Sequence, residues 1–213
     1  SSIAGVAFHR IGVGGGFAYG PNGPTHHGID DIGVMSTLPN MRCLAPATPG
    51  EVRDFVRKAG DLETSAYLRL GRNGEANIPL PGEYPDSLIV VREGAEGVVF
   101  STGIMLNEVL VAADKLAHIG VHPKVIHVPF IHPFPEDEIQ EILIDGAPCL
   151  TVEEHIATGG LGQHVAFALA KQQRQVRFGA LTVPAVFPDT CLSRQGSLRW
   201  EGLDAESIAR SFQ

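Results

Sequence analysis

Two adjacent histidines, His26 and His27, lie in the glycine- and proline-rich stretch GPNGPTHHGIDDIG at residues 20–33. Imidazole titrates near neutral pH, so such a side chain can transfer a proton or hydrogen-bond a hydroxyl or phosphate group. Side chains of adjacent residues point apart, so the two histidines are poorly placed to bind one metal ion together. The pair therefore predicts proton-transfer or substrate-binding chemistry. His9, which precedes the same loop, is a candidate to join that site.

Three other features each have a functional and a structural interpretation. GVGGG (12–16) lacks the third glycine of a dinucleotide-binding fingerprint, and no GK[ST] follows for a phosphate-binding loop, so a tight turn is favoured over a substrate-lining loop. EEHIATGGLG (153–162) is favoured as a packing turn over an anion site.

Arg72 follows a predicted strand, at the edge where open parallel sheets bind ligands. A guanidinium there can bind a phosphate through two hydrogen bonds; a lone surface arginine is the alternative.

The composition is that of a globular protein without the signature of a nucleic-acid or membrane partner. Of the 213 residues, 44% are hydrophobic and 19% are charged, with a formal net charge of −8. No run of lysine and arginine occurs, and the apolar stretches are far too short to span a bilayer. Three widely spaced cysteines without a CxxC motif favour a reducing compartment over a disulfide framework. Without a recognisable signal peptide, a cytoplasmic location is expected.

Short β-rich runs alternate with helical patterns, which predicts an α/β fold of two units, each a mostly parallel sheet flanked by helices. The segment 72–87 is the predicted linker between them, because it is rich in glycine, proline and polar residues. The helix predicted in TPGEVRDFVRKAG (48–60) should begin with a capping box formed by Thr48 and Glu51. Strands are predicted at 3–8, 41–46, 65–71, 88–94, 97–103, 124–130, 149–154 and 175–181. The other helices are predicted at 29–38, 107–120, 135–143, 161–172 and 204–212.

The first unit is thin, with three predicted strands and two helices. Its edge strand lies where the sequence starts, although a buried parallel sheet does not usually stop at such an edge. The first unit is therefore expected to be incomplete, with other chains or upstream sequence completing its sheet.

The motifs GPTHH, LPN, LAP, STG, TVEEH and GGLG, in this order, resemble the transketolase family, which includes deoxyxylulose-phosphate synthases and small two-subunit transketolases. The similarity runs over almost the whole chain. It implies that residues 1–82 are part of a thiamine diphosphate pyrimidine-binding domain and residues 88–213 a transketolase C-terminal domain. It also implies transfer of a two-carbon ketol unit between sugar phosphates.

The resemblance also implies roles for individual residues. His26 matches the histidine of the GPTH motif, which lies beside the reactive carbon of the cofactor and helps bind and deprotonate the sugar; it is the predicted catalytic residue. Three residues are predicted to bind substrate. Asn22 stands where many members have an aspartate that contacts a hydroxyl, whereas His9 and Arg72 match residues that hold the substrate phosphate. No role is assigned to His27.

The cofactor that the resemblance implies is thiamine diphosphate with Mg²⁺ or Ca²⁺. The family's thiamine-activating glutamate, aromatic cofactor pocket and metal-binding motif have no counterpart in this sequence. The chain alone is therefore expected to bind no cofactor and to be inactive. A diphosphate-binding N-terminal domain or subunit is the expected partner, within an assembly that contains a homodimer.

Two alternatives stay open. The β component of a 2-oxoacid dehydrogenase shares this architecture, although GPTHH argues against it. A non-catalytic structural or regulatory subunit would retain the fold without the chemistry.

Overall fold

A computed structural model describes residues 7–59, 62–81 and 88–213 and contains two mixed, mostly parallel sheets flanked by helices, which confirms the predicted α/β class. The strands are β1 (His9–Val13), β2 (Arg42–Leu44), β3 (Ala66–Leu70), β4 (Ile89–Arg92), β5 (Val98–Ser101), β6 (Lys124–His127), β7 (Phe130–His132), β8 (Pro148–Ile156) and β9 (Arg177–Val183). The helices are α1 (Asp31–Ser36), α2 (Pro49–Ala59), α3 (Leu106–Ala117), α4 (Glu136–Ile142), α5 (Leu161–Lys171), α6 (Arg194–Trp200) and α7 (Ala205–Phe212).

The first sheet has the order β1-β3-β2-β7, and its last strand comes from the second half of the chain. The segment 124–130 was predicted as one strand, but it is divided between the sheets. Pro129 has no N–H group with which to continue a ladder. The chain leaves the second sheet after His127, and β7 pairs antiparallel with β2. The two halves of the chain therefore share a sheet.

The second sheet has the order β4-β6-β5-β8-β9, in which only the β4–β6 pair is antiparallel. Adjacent residues of its strands enter different cores. Val99 packs in one core cluster with residues of α3 and α7, whereas Val98 and Phe100 pack in another with residues of α4 and α5. Because helices cover both faces, the central strands are continuous apolar runs. Helix α3 buries one apolar face, formed by Val109, Ala112, Ala113 and Leu116.

Helix α2 begins at the predicted capping box. Thr48 Oγ1 accepts the N–H of Glu51 at 3.2 Å, and Glu51 Oε2 accepts the N–H of Ala47 at 2.7 Å. The carboxylate thus reaches one residue further back than a regular box requires. A cap of this kind stabilises a helix by about 1 kcal/mol.

Three elements differ from the prediction. The strand expected at 3–8 lies mostly outside the described residues; β1 instead occupies His9–Val13, an exposed edge with little apolar patterning. Helix α1 is shorter than the predicted 29–38. Helix α6 was not predicted, because it contains few apolar residues; it is capped by the Ser193 side chain.

The part of the predicted linker that the structure describes, residues 72–81, forms no helix or strand. It is nevertheless anchored, since Ile78 and Leu80 pack against the core cluster around α3. Among the described residues, no helix is both long and apolar enough to cross a membrane.

Candidate functional site

The loop between β1 and α1 is closed at its base by two glycines. Gly16 and Gly28 exchange backbone hydrogen bonds at 2.6 and 3.0 Å. The N–H groups of Gly14 and Gly15 both donate to the carbonyl of Leu70, at the carboxyl end of β3. Gly16 has φ = 64°, a left-handed conformation that favours glycine. The GVGGG motif is therefore a tight turn, the interpretation favoured from the sequence, and it defines the loop 16–28.

His26 is exposed at the end of the second of two short 3-10 turns, Gly20–Asn22 and Pro24–His26. Its Nδ1 lies 3.0 Å from Thr25 Oγ1. Asn22, in the first turn, is also exposed. Loop 16–28 therefore presents an imidazole and an amide to solvent, where each can bind a hydroxyl group.

His27 has a different environment from its neighbour. Its ring packs edge-on against Phe17, with centroids 5.1 Å apart and an interplanar angle of 88°. Its Nε2 lies 3.4 Å from the carbonyl oxygen of Gly20. These contacts hold the two ends of the loop together, so His27 braces the loop that presents His26.

Arg72 lies beyond the carboxyl end of β3 and contacts the same loop. Its guanidinium carbon is 5.3 Å from the centroid of the Tyr19 ring. Its backbone N–H donates to Glu75 Oε1 at 2.7 Å, and its guanidinium forms no ion pair within the described part of the chain. The cation is therefore available to a ligand beside the loop.

Two neighbouring cavities share Arg72, Glu75 and Ile104 in their walls. One, of about 180 Å³, has mostly apolar walls that include Pro46 and Val52. The other, of about 290 Å³, has a more polar lining. Its polar residues besides the shared ones are Asn73, Asn107 and Arg194. The larger cavity suits a hydroxylated ligand.

His9 lies apart from this cluster. In the parallel pairing of β1 with β3, His9 is opposite Ala66, whereas Val13 is opposite Leu70 next to the loop and Arg72. Four residues of strand span about 13 Å. The His9 ring packs edge-on near Phe55, at 6.3 Å. The structure thus brings Arg72 to the loop that carries Asn22 and His26 but does not bring His9 there, and the role of His9 stays a prediction.

The motif TVEEH ends β8 with three buried ionisable residues that were not among the predicted site residues. Glu153 accepts the N–H groups of Leu161 and Gly162, at 2.7 and 2.8 Å, at the start of α5. The N–H groups at the EEHIATGGLG turn are therefore occupied by the chain's own carboxyl group. Burial raises the pKa of Glu153 to about 7, although the two N–H donors act in the opposite direction.

His155 is fully buried and holds the start of α1. Its Nδ1 donates to the carbonyl of Ile156 at 2.7 Å, and its Nε2 accepts the N–H of Gly33 at 3.3 Å. Burial lowers the pKa of His155, which favours this neutral form. A β-rich apolar run that ends in three consecutive ionisable residues was the signal in the sequence that such a network exists.

Glu154, between these two residues, connects the two halves of the chain. Its carboxylate accepts the N–H of Phe17 at 2.6 Å and the side chain of Arg194 at 2.7 Å. Its carbonyl accepts from Arg69 Nη2 at 2.8 Å. Arg69 also donates to both carboxylate oxygens of Asp31, at 3.1 Å. Loop 16–28 thus lies on a buried, charged network.

The described residues do not fit the diphosphate group of thiamine diphosphate and the metal ion that accompanies it. A divalent cation needs a cluster of oxygen ligands. Among the described residues, no group of three or more His, Cys, Asp and Glu side chains could hold a metal ion. What these residues offer a ligand is an imidazole, amides and a guanidinium.

Comparison with known proteins identifies the class to which this fold belongs. The transketolase pyrimidine-binding domain model matches residues 2–74, and the transketolase C-terminal domain model matches residues 87–208. The chain belongs to the transketolase family, as its motifs predicted.

Two curated relatives show which members it resembles. A subunit of the apulose-4-phosphate transketolase of Actinobacillus succinogenes is 30% identical over 201 residues, which cover 93% of this chain and 64% of the relative. 1-Deoxy-D-xylulose-5-phosphate synthase of Syntrophotalea carbinolica is 31% identical in an alignment that covers 98% of this chain and 34% of the relative. The chain thus spans less than two thirds of these relatives.

Solved structures agree with this assignment. A split-gene transketolase described as an inactive β4 tetramer matches with a TM-score of 0.80 and 28% identity, over 96% of this chain and 65% of that one. Transketolase from Campylobacter jejuni matches with a TM-score of 0.75 over 95% of this chain and 30% of that one. At 17% identity, the second match shows a shared fold.

Proposed function

We propose that the chain is the C-terminal part of a thiamine diphosphate-dependent transketolase-type enzyme that transfers a two-carbon ketol unit between sugar phosphates. Residues 1–82 would belong to its pyrimidine-binding domain and residues 88–213 to its C-terminal domain; the boundary itself lies outside the described residues. The strongest support for this proposal comes from the arrangement of Arg72 and loop 16–28. The Arg72 cation, which has no ion-pair partner among the described residues, contacts the loop that exposes His26 and Asn22, beside a polar cavity of about 290 Å³.

The residues at this loop divide the work of holding a sugar phosphate. The Arg72 guanidinium binds the phosphate oxygens, and the Asn22 amide hydrogen-bonds a hydroxyl of the sugar chain. His26 accepts a proton from a substrate hydroxyl and returns it, since its exposed imidazole carries ring nitrogens that can accept and donate a proton. The cofactor, when bound by the assembly, supplies the means of breaking the carbon–carbon bond.

The proposed partner is a diphosphate-binding domain or subunit that holds the metal and the cofactor. Two observations support it: the lack of a metal-binding cluster among the described residues, and the similarity to a split-gene transketolase and to one subunit of an apulose-4-phosphate transketolase. We also infer that the chain forms a homodimer in the cytoplasm and is inactive without this partner. The β4 assembly of the similar structure supports self-association.

Calorimetric titration of thiamine diphosphate with Mg²⁺ tests the proposed division of labour. We expect no binding to the chain alone and stoichiometric binding once the diphosphate-binding partner is present. Stoichiometric binding to the isolated chain would overturn the proposal, because these residues would then hold the metal and diphosphate themselves.

Turnover by the assembly tests the reaction. A ketose phosphate donor and an aldose phosphate acceptor should give ketol transfer. Turnover with pyruvate alone would instead support the 2-oxoacid dehydrogenase alternative. Binding of the partner and cofactor without turnover on either substrate would support a non-catalytic subunit.

A further inference from the structure

Glu154 lies where loop 16–28 meets the second half of the chain. Its side chain is 1% exposed. Oε1 accepts the N–H of Phe17 at 2.6 Å, and Oε2 accepts from Arg194 Nη2 at 2.7 Å and Nε at 3.2 Å. Both carboxylate oxygens therefore face donors, and each donor belongs to a different half of the chain.

The same residue restrains both ends of the loop. At the first end, Gly16 packs so closely on the Glu154 carboxylate that a Cβ atom there would overlap it. At the other end, Arg69 Nη2 donates both to the carbonyl of Gly28, at 2.5 Å, and to the carbonyl of Glu154. The base of the loop is thus attached to the carboxyl-terminal end of strand β8.

A short series of contacts leads from this anchor to His26. Phe17, whose N–H binds Glu154, is buried and packs edge-on against His27. His27 is bonded through the backbone to His26. A shift of Phe17 would therefore move the segment that presents the exposed imidazole.

We propose that Glu154, held by Arg194, is a positioning residue that sets the location of His26 through loop 16–28. The second half of the chain then helps to set the geometry of the site through a side chain that is itself buried. The consequence for turnover rests on the proposed function of His26; the restraint of the loop does not.

Glu154→Gln is an informative substitution because it keeps the shape of the side chain. Both oxygens accept hydrogen bonds, so an amide places an NH₂ donor against either Phe17 N–H or Arg194, whichever way it is oriented. Arg194→Met is a second, independent variant, which leaves the hydrogen bond to Phe17 but removes the partner of the buried charge.

Glu51→Gln is the matched control. Glu51 is also buried and also connects the two halves, since it binds the N–H of Ala47 and lies 3.0 Å from His127 Nε2. Both of these partners lie outside loop 16–28. Loss of stability alone should therefore appear in the control as well as in the test variants, whereas loosening of the loop should not.

The first measurement uses the full chain without a partner. Amide hydrogen exchange of residues 16–28 should be at least tenfold faster in Glu154→Gln than in the parent and increase in Arg194→Met, with no such change in Glu51→Gln. The His27 ring resonances, shifted by the Phe17 ring, should move in the two test variants only. Unchanged loop exchange in Arg194→Met, or equal loosening in Glu51→Gln, would overturn the proposal. Arg194→Met decides the matter if Glu154→Gln does not fold.

The second measurement uses the assembled enzyme. Glu154→Gln should lower kcat more than it changes KM for the sugar phosphate, and it should cause no further loss when His26 is already alanine. A full additional loss in that double variant would show that Glu154 acts independently of His26 and would overturn the positioning role. If His26→Ala has no effect on turnover, the proposed function fails while the exchange result stands.

Discussion

His26 and His27 are adjacent in the sequence but differ in burial, and this difference decides what a substitution at each would do. His26 is exposed and contacts the Thr25 hydroxyl. His27 is half-buried and packs on Phe17. Replacing His26 should therefore affect chemistry, whereas replacing His27 should loosen the loop.

We expect His26→Ala to lower turnover of the assembled enzyme by about 10²–10⁴-fold, the usual contribution of a general acid–base residue. The thermal midpoint should stay unchanged because the ring is exposed. Steady-state kinetics and a thermal melt check both parts. His118→Ala, which removes an exposed histidine after α3, is the control. Unchanged turnover in His26→Ala would contradict the assigned role.

Glu153 predicts a dependence of stability on pH. Burial raises its pKa from 4.5 to about 7, so between these values the folded chain holds a proton that the unfolded chain has lost. Its contribution therefore destabilises the fold as pH rises through this window, by on the order of 1 kcal/mol per pH unit, and is constant above it.

Urea unfolding from pH 4.5 to 8 tests this. In Glu153→Gln, the free energy of unfolding should no longer show the decrease with pH that Glu153 causes in the parent. Glu141→Gln, at an exposed position on α4, should show the same decrease as the parent. Parallel pH profiles for the parent and Glu153→Gln would contradict the prediction.

At the scale of elements, loop 16–28 depends on glycine at its base. Gly16 combines a left-handed backbone with contact to Glu154, whereas Gly74 has a similar φ of 78° but nothing within 4 Å of a Cβ atom. Substituting each glycine therefore distinguishes the cost of backbone strain from the cost of steric overlap.

We expect Gly74→Ala to cost about 1 kcal/mol of unfolding free energy, from strain alone. Gly16→Ala should cost about 3 kcal/mol, because overlap with a buried carboxylate adds to that strain. Urea unfolding of both variants measures the difference. Equal losses would show that the close contact with Glu154 does not constrain the loop.

At the scale of the whole molecule, the two halves are joined at several points. Strand β7 joins the first sheet by pairing with β2, Glu51 binds His127, and Glu154 binds Phe17. The carboxyl edge of the second sheet, where ligands usually bind in such folds, is covered by the first half. The N–H of Gly103 there donates to the carbonyl of Ala45. The loop beside the first sheet, in contrast, presents exposed polar side chains to a ligand.

These connections predict that the halves unfold together. Calorimetry should give one transition whose calorimetric and van't Hoff enthalpies agree. Ile131→Ala, in β7 and fully buried, should lower stability by about 2–5 kcal/mol for that single transition. Ile119→Ala, at a side chain that is 60% exposed, should change it by less than about 0.5 kcal/mol. Two separate transitions would contradict this view of the molecule.

Local pattern was sufficient for much of this protein. Apolar periodicity predicted α3, α5 and α7, residue types at 48–51 predicted the capping box, and short motifs identified the family. These features could be predicted because the interactions behind them join residues within a few positions of one another, or recur as fixed strings of residues.

Pairing between distant residues decided the rest. The bond from Phe17 to Glu154 joins residues 137 positions apart, and nothing in the periodicity around either residue specifies the other. The transfer of β7 to the first sheet, the position of β1 and the separation of His9 from the loop likewise depend on strand register. Register and the burial of charge follow from how whole elements pack against one another, so they emerge only once the chain has folded.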